Sequence, residues 1–136
     1  MTAVDCVFCR IVDGSVATVK VMEDEHGLSF VPLNPATEGH TLVIPKRHSR
    51  NLFDVSSDDL ERVIAMVKAV ALRQRARLGC AGVSLFQANE PAGFQTVFHL
   101  HFHVVPRYPG DRVREAWHAE AVDLAALERV ALRLRG

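Results

Sequence analysis

The chain of 136 residues fits one domain around one hydrophobic core, with no second domain expected. Its 16 basic and 16 acidic residues cancel, which removes the basic stripe that a nucleic-acid backbone demands but leaves room for a small anionic ligand. No stretch reaches the roughly 20 apolar residues of a membrane span, and the opening run Met1–Cys6 has neither a basic nor an apolar leader segment, so a cytoplasmic protein without membrane contact is expected.

In chain order, the first signal is the Cys-x-x-Cys pair Cys6 and Cys9. Three cysteines cannot all pair within one chain, and in a reducing compartment thiols serve metal binding, packing or chemistry. The pair is half of a tetrahedral zinc site, whereas Cys80 has no partner in sequence and is expected to pack. Val19 to Glu23, Leu28 to Val31 and Thr41 to Ile44 read as strands, punctuated by Gly27, Pro32, Pro35, Gly39 and Pro45. Ser56-Ser57-Asp58-Asp59 is a helix-start signal, after which Leu60, Val63, Ile64, Val67, Val70 and Ala71 recur at helical spacing. Gly79 closes this helix behind Arg73, Arg75 and Arg77, which suit its negative C-terminal end. Val83 to Gln87 and Leu100 to Val105 read as further strands, and Leu124, Leu127, Val130, Ala131 and Leu134 as a short helix ending near Gly136. Strands on both sides of one long helix predict an α+β fold, an antiparallel sheet of about five strands with a helix against one face, rather than repeated βαβ units.

Three of the seven histidines, His99, His101 and His103, fall within five residues. On a strand, alternate side chains share a face, so the three imidazoles would lie about 6.8 Å apart on one side while Leu100, Phe102 and Val104 take the other. A single strand histidine is ordinarily a satisfied polar residue; three at period two each need their own partners, and packing gains nothing from them. Two chemistries use such a face. The rings could chelate a metal that keeps a position open for water, or a neutral imidazole could attack phosphorus while its second nitrogen donates a hydrogen bond that fixes the tautomer.

The run His99-Leu100-His101-Phe102-His103-Val104-Val105, followed by Pro106-Arg107, resembles the signature of the histidine-triad (HIT) superfamily of nucleotide-binding proteins and hydrolases. The block from Gly39 to His48 resembles a second family segment, and Gln95 to Phe98 resembles the stretch that leads into the triad. Together they span most of residues 6 to 107, the core of a single histidine-triad domain over 1–136 with a C-terminal extension from 108. The resemblance implies a hydrolase or transferase that binds a purine nucleotide on the imidazole face. His101 would attack the α-phosphorus to give a covalent nucleotidyl-histidine that water then hydrolyses, with no divalent cation needed in the step. It implies that His103, Gln95 and Thr96 donate to phosphate oxygens, that Asn89 lies near the bridging oxygen, and that His40 completes the histidine set. Phe8, Ile11, Phe30 and Leu33 would form an apolar base pocket. The substrate implied is a nucleoside phosphoramidate or a dinucleoside polyphosphate.

Similarity to zinc-containing bacterial members implies a structural zinc on Cys6, Cys9, His48 and His99, a closed site with no position for water. A homodimer is implied in the same way. Two positions depart from the family pattern. Pro32 stands where an aspartate usually accepts from both ribose hydroxyls, and Phe94 stands where the loop before Gln95 usually has glycine. The segment Tyr108 to His118, with Arg112, Arg114 and Trp117, lies beyond the motif and is expected either to reach a neighbouring subunit or to be a solvated tail. Two rival readings remain: a nucleotide-binding scaffold with negligible turnover, and a metal-dependent hydrolase that uses the triad as ligands.

Overall fold

Five strands, β1 (Val19–Glu23), β2 (Gly27–Val31), β3 (Thr41–Pro45), β4 (Gly82–Phe86) and β5 (Phe102–Arg107), form one sheet in the order β1-β2-β3-β5-β4. Every neighbouring pair is antiparallel. Three helices complete the α+β fold: α1 (Val7–Val12), α2 (Ser57–Leu78) and α3 (Leu124–Arg135). The computed structural model describes residues 5–114, 117 and 119–136. Among the described residues no helix is long and apolar enough to cross a membrane.

The near-continuous apolar run of β3 follows from its place in the sheet, where all five of its residues are buried because both faces are covered. Leu42 and Ile44 point to one side, where they join Cys6, Phe8 and Ile11 of the α1 region with Leu28 and Phe30 of β2. Val43 points to the other side, where Val63, Met66, Val67 and Val70 of α2 meet Val104 of β5. Each fully buried aliphatic chain of this kind contributes ~1.5–3 kcal/mol of transfer free energy. The two clusters clamp the sheet and fix the strand that carries His103.

The helix read from Ser56 and Gly79 is α2. The Ser56 hydroxyl accepts from the Asp59 N–H at 3.1 Å, and Gly79 ends the helix in the left-handed conformation at φ 65°. Its buried Gln74 donates through Nε2 to the carbonyls of Gly39 (3.0 Å) and Val104 (2.9 Å), which ties α2 to the turn before His40 and to β5. Helix α3 follows the predicted C-terminal pattern, capped by Asp123, and none of its residues is buried.

The last strand is shifted from the expected Leu100 to Val105. It begins at Phe102, so only His103 of the three histidines lies on a strand. The physical reason is local: the Leu100 N–H is spent on the Ser49 carbonyl at 2.9 Å, and the His101 ring takes the His99 carbonyl at 2.8 Å. Both groups are thereby removed from the ladder. Helix α1 and the 3-10 turn at Pro91–Gly93 are additions that the sequence patterns did not indicate.

Candidate functional site

A cavity of about 500 Å³ opens on the α1 side of the sheet, a volume suited to a small-molecule ligand. Its walls include Phe8, Ile11, Phe30 and Leu33 on the apolar side, and Thr96, His40, His101 and His103 on the polar side. Leu33 and Phe94 stand at its rim with most of their surface exposed. Among the described residues no Asp, Glu, Lys or Arg lines this cavity.

The tautomers of the imidazoles follow from their partners. His101 Nδ1 lies 2.8 Å from the His99 carbonyl, which can only accept, so Nδ1 carries the proton and Nε2 of the neutral ring keeps a free lone pair. At His40, Nδ1 accepts from the Ala36 N–H at 2.9 Å, which leaves the proton on Nε2. That Nε2–H donates to His103 Nδ1 at 3.0 Å, and His103 therefore carries its own proton on Nε2. One backbone N–H thus orients two rings in series, and the cleft receives one acceptor ring beside one donor ring. The His101 and His103 centroids are 5.1 Å apart, and the Phe8 ring meets His101 edge-on at 5.3 Å.

Burial keeps these rings neutral near pH 7. His103 is pushed down to about 4, first by burial and then by the neighbouring His101 and His40. Burial lowers His40 and His101 as well, the latter partly offset by its bond to the His99 carbonyl. An uncharged His101 is the form that can act as a nucleophile.

His99 turns away from the cleft. Its Nε2–H donates to the Pro45 carbonyl at 2.8 Å, and its free Nδ1 lies 3.3 Å from Cys6 Sγ and 3.5 Å from Cys9 Sγ. His48 Nδ1 approaches Cys9 Sγ to 3.3 Å, and the four ligand atoms all lie within 4.8 Å of one another. A tetrahedral zinc with ordinary Zn–S and Zn–N bonds sets sulfur–nitrogen edges of about 3.5 Å, so the donor set and its spacing fit that ion. The Pro45 carbonyl holds the His99 ring in the tautomer that a ligand requires. Helix α1 begins inside this cluster, because Cys6 Sγ caps it by accepting from the Cys9 N–H at 3.4 Å.

The HIT domain profile matches residues 14–110 of this chain. The chain belongs to the HIT family. It is 36% identical over 122 residues to Protein hit of Bacillus subtilis, which spans 89% of this chain and 84% of that protein. Among solved structures, a HIT family protein from Bacillus anthracis superposes with a TM-score of 0.91 at 34% identity, covering 98% of this chain and 97% of the other. A zinc-bound histidine triad family protein from Mycobacterium smegmatis gives 0.78 at 36% identity, with 98% and 97% covered. A histidine triad nucleotide-binding protein from Candida albicans gives 0.85 at 30% identity, with 96% and 95% covered.

Within this HIT domain, the structure brings His40, His101, His103, Thr96, Phe8, Ile11, Phe30 and Leu33 to one cleft, and Cys6, Cys9, His48 and His99 to one cluster. Asn89 and Gln95 are placed elsewhere. The Asn89 amide is engaged with the Leu52 N–H (2.8 Å) and with both ends of the Gln87 amide. Gln95 is buried beneath the loop, accepting from Asn51 and the Glu90 N–H and donating to the carbonyls of Arg50 and Val97. The expected stretch from Tyr108 to His118 includes 115, 116 and 118, which lie outside the described residues, while Trp117 is exposed. Sequence reasoning passed over Arg50, Asn51 and Glu90, whose pairing spans about forty positions and leaves no local pattern.

Proposed function

We propose that this HIT protein is a nucleotide hydrolase or transferase in which His101 Nε2 attacks the α-phosphorus of a purine nucleotide derivative, a phosphoramidate or a dinucleoside polyphosphate. The observation that carries the reading is the His101 ring in the cavity wall, neutral, with its Nδ1–H committed to the His99 carbonyl at 2.8 Å. A bond forms from Nε2 to phosphorus as the bond from phosphorus to the leaving group breaks, and the leaving group takes the electron pair and is protonated from water. The adduct is an imidazolium whose positive charge faces the His99 carbonyl through Nδ1–H. Water then attacks phosphorus, the phosphorus–nitrogen bond breaks, and a nucleoside monophosphate leaves with His101 neutral again.

The His103 Nε2–H and the Thr96 hydroxyl are suited to donate to the phosphate oxygens, and the apolar wall of Phe8, Ile11, Phe30 and Leu33 to hold the base. Asn89 and Gln95 act in this reading as supports of the loop that carries Thr96. A zinc on Cys6, Cys9, His48 and His99 would be structural, since four protein ligands leave no position for substrate. A homodimer belongs to the same reading, supported by the open edge of β4 and the exposed Leu85 upon it.

The test is intact-protein mass spectrometry after exposure to adenylated and guanylated donors, with the metal content of the same sample determined. A mass gain of one nucleotidyl group in the wild type, lost in His101→Ala, is expected together with one zinc per chain. Absence of any adduct under rapid acid-free quenching would leave a binding module rather than an enzyme.

A further inference from the structure

Two non-glycine residues among those described have a positive φ, and both lie in one five-residue stretch beside the cleft: Glu90 at 68° and Phe94 at 72°. Glu90, with ψ at 161°, occupies a region that is essentially reserved for glycine. Such a conformation persists only where the surroundings over-determine it.

The surroundings here are polar and dense. The Glu90 carboxylate receives Arg50 Nε at 2.7 Å and Arg50 Nη2 at 3.0 Å, a two-pronged grip, and it also accepts from Asn51 Nδ2. The Glu90 N–H donates to Gln95 Oε1 at 2.8 Å, and the Glu90 carbonyl accepts from the N–H groups of Gly93 (2.9 Å) and Gln95 (3.1 Å). Gln95 Nε2 closes the circuit on the Arg50 carbonyl at 2.7 Å. Asn51 and Gln95 are 1% and 3% exposed, so their bonds are sheltered from water. Thr96, which lines the cleft, is the next residue in the chain.

Stability alone does not account for this arrangement. The Arg50 and Glu90 side chains are 40% and 41% exposed, a setting in which an ion pair contributes little to folding. A glycine would also take the same φ without strain. The carboxylate is therefore best explained by what it orients.

We propose that Glu90 is a positioning residue: held by Arg50 and Asn51, it fixes the 90–96 loop so that Thr96 faces the phosphate of a bound nucleotide. The inference rests on the function proposed above, and the test separates the two. Binding of adenosine 5′-monophosphate and of adenosine, which lacks the phosphate, is measured by calorimetry for wild type, Glu90→Gly, Thr96→Ala and the double variant. Glu90→Gly is expected to remain folded with a cooperative melt, lowered by the acceptor that Asn51 loses, to bind the monophosphate about tenfold more weakly, as loss of one bond to a charged group implies, and to bind adenosine unchanged. Because Glu90 acts through Thr96, the double variant should be no weaker than Thr96→Ala alone. Equal losses for both ligands, no loss for the monophosphate, or additive losses in the double variant would overturn the proposal while leaving the functional reading in place. A wild-type protein that binds neither ligand would overturn both.

Discussion

Replacing His40 with phenylalanine keeps a ring of similar size and removes both nitrogens of the relay. The Ala36 N–H loses its acceptor at 2.9 Å, and His103 Nδ1 loses the donor at 3.0 Å that fixes its tautomer. Without that donor, His103 gains nothing from keeping its proton on Nε2, and the donor offered to the phosphate is no longer preorganised. A hydrogen bond to a charged oxygen contributes ~1.5–3 kcal/mol, and at 1.36 kcal/mol per decade the nucleotidyl adduct on His101 should form about 10- to 150-fold more slowly. His40→Gln should recover part of the loss, because its amide oxygen can accept from Ala36 while its NH₂ donates to His103. Quenched single-turnover mass spectrometry reads the rate, and nitrogen-resolved NMR of the rings reads the tautomer. A His40→Phe variant with an adduct rate within about threefold of wild type and His103 still protonated on Nε2 would refute the relay.

Three other outcomes are expected. In Gly39→Ala the new Cβ would stand 2.2 Å from Leu78 Cδ1 at a φ of +87°, so a left-handed penalty of ~1–2 kcal/mol adds to repacking of ~1–3 kcal/mol. Urea unfolding should show a loss of about 2–5 kcal/mol, and a loss below about 1 kcal/mol would contradict the close approach. The His103 ring should stay neutral on NMR titration until pH nears about 4, rather than charging at its ordinary 6.5. Between those values the folded state binds fewer protons than the unfolded one, so this ring's contribution to stability falls as pH drops from 6.5 towards 4, and a midpoint near 6.5 would show that the site is wetter than described. Finally, with Pro32 in the cavity wall and no carboxylate lining it among the described residues, ribo- and 2′-deoxyribonucleotide donors should have kcat/KM values within about threefold. A preference above tenfold for the ribose would locate a hydroxyl acceptor elsewhere in the cleft.

The elements whose signals are local were legible in the sequence. Ser56 and Gly79 announce the ends of α2 because capping needs only neighbouring backbone groups, and the apolar runs of β2 and β3 stand out because burial on two faces removes alternation. The two site clusters were legible through the spacing of histidines and cysteines and their resemblance to the HIT pattern. What escaped depends on distant partners. Period two placed three imidazoles on one face, yet His99 and His101 precede the ladder because Ser49 and the His99 carbonyl claim their surroundings. Helix α1 has only six residues and is capped by a cysteine sulfur, a choice that ordinary capping preferences do not favour. Asn89 and Gln95 have the right chemistry for phosphate, but their amides face protein partners that no linear spacing reveals.

His99 serves two masters: its ring belongs to the cysteine cluster, and its carbonyl orients the ring of His101. Half of that cluster, Cys6 and Cys9, lies upstream of residue 14, where the family profile begins. A chain trimmed to the profile would retain all the cleft imidazoles yet lose Cys6 and Cys9, half of the cluster that surrounds the His99 ring. On the mechanism proposed above, the aim of His101 rests on two thiols that lie outside the cavity wall, so loss of Cys6 or Cys9 is expected to slow adduct formation.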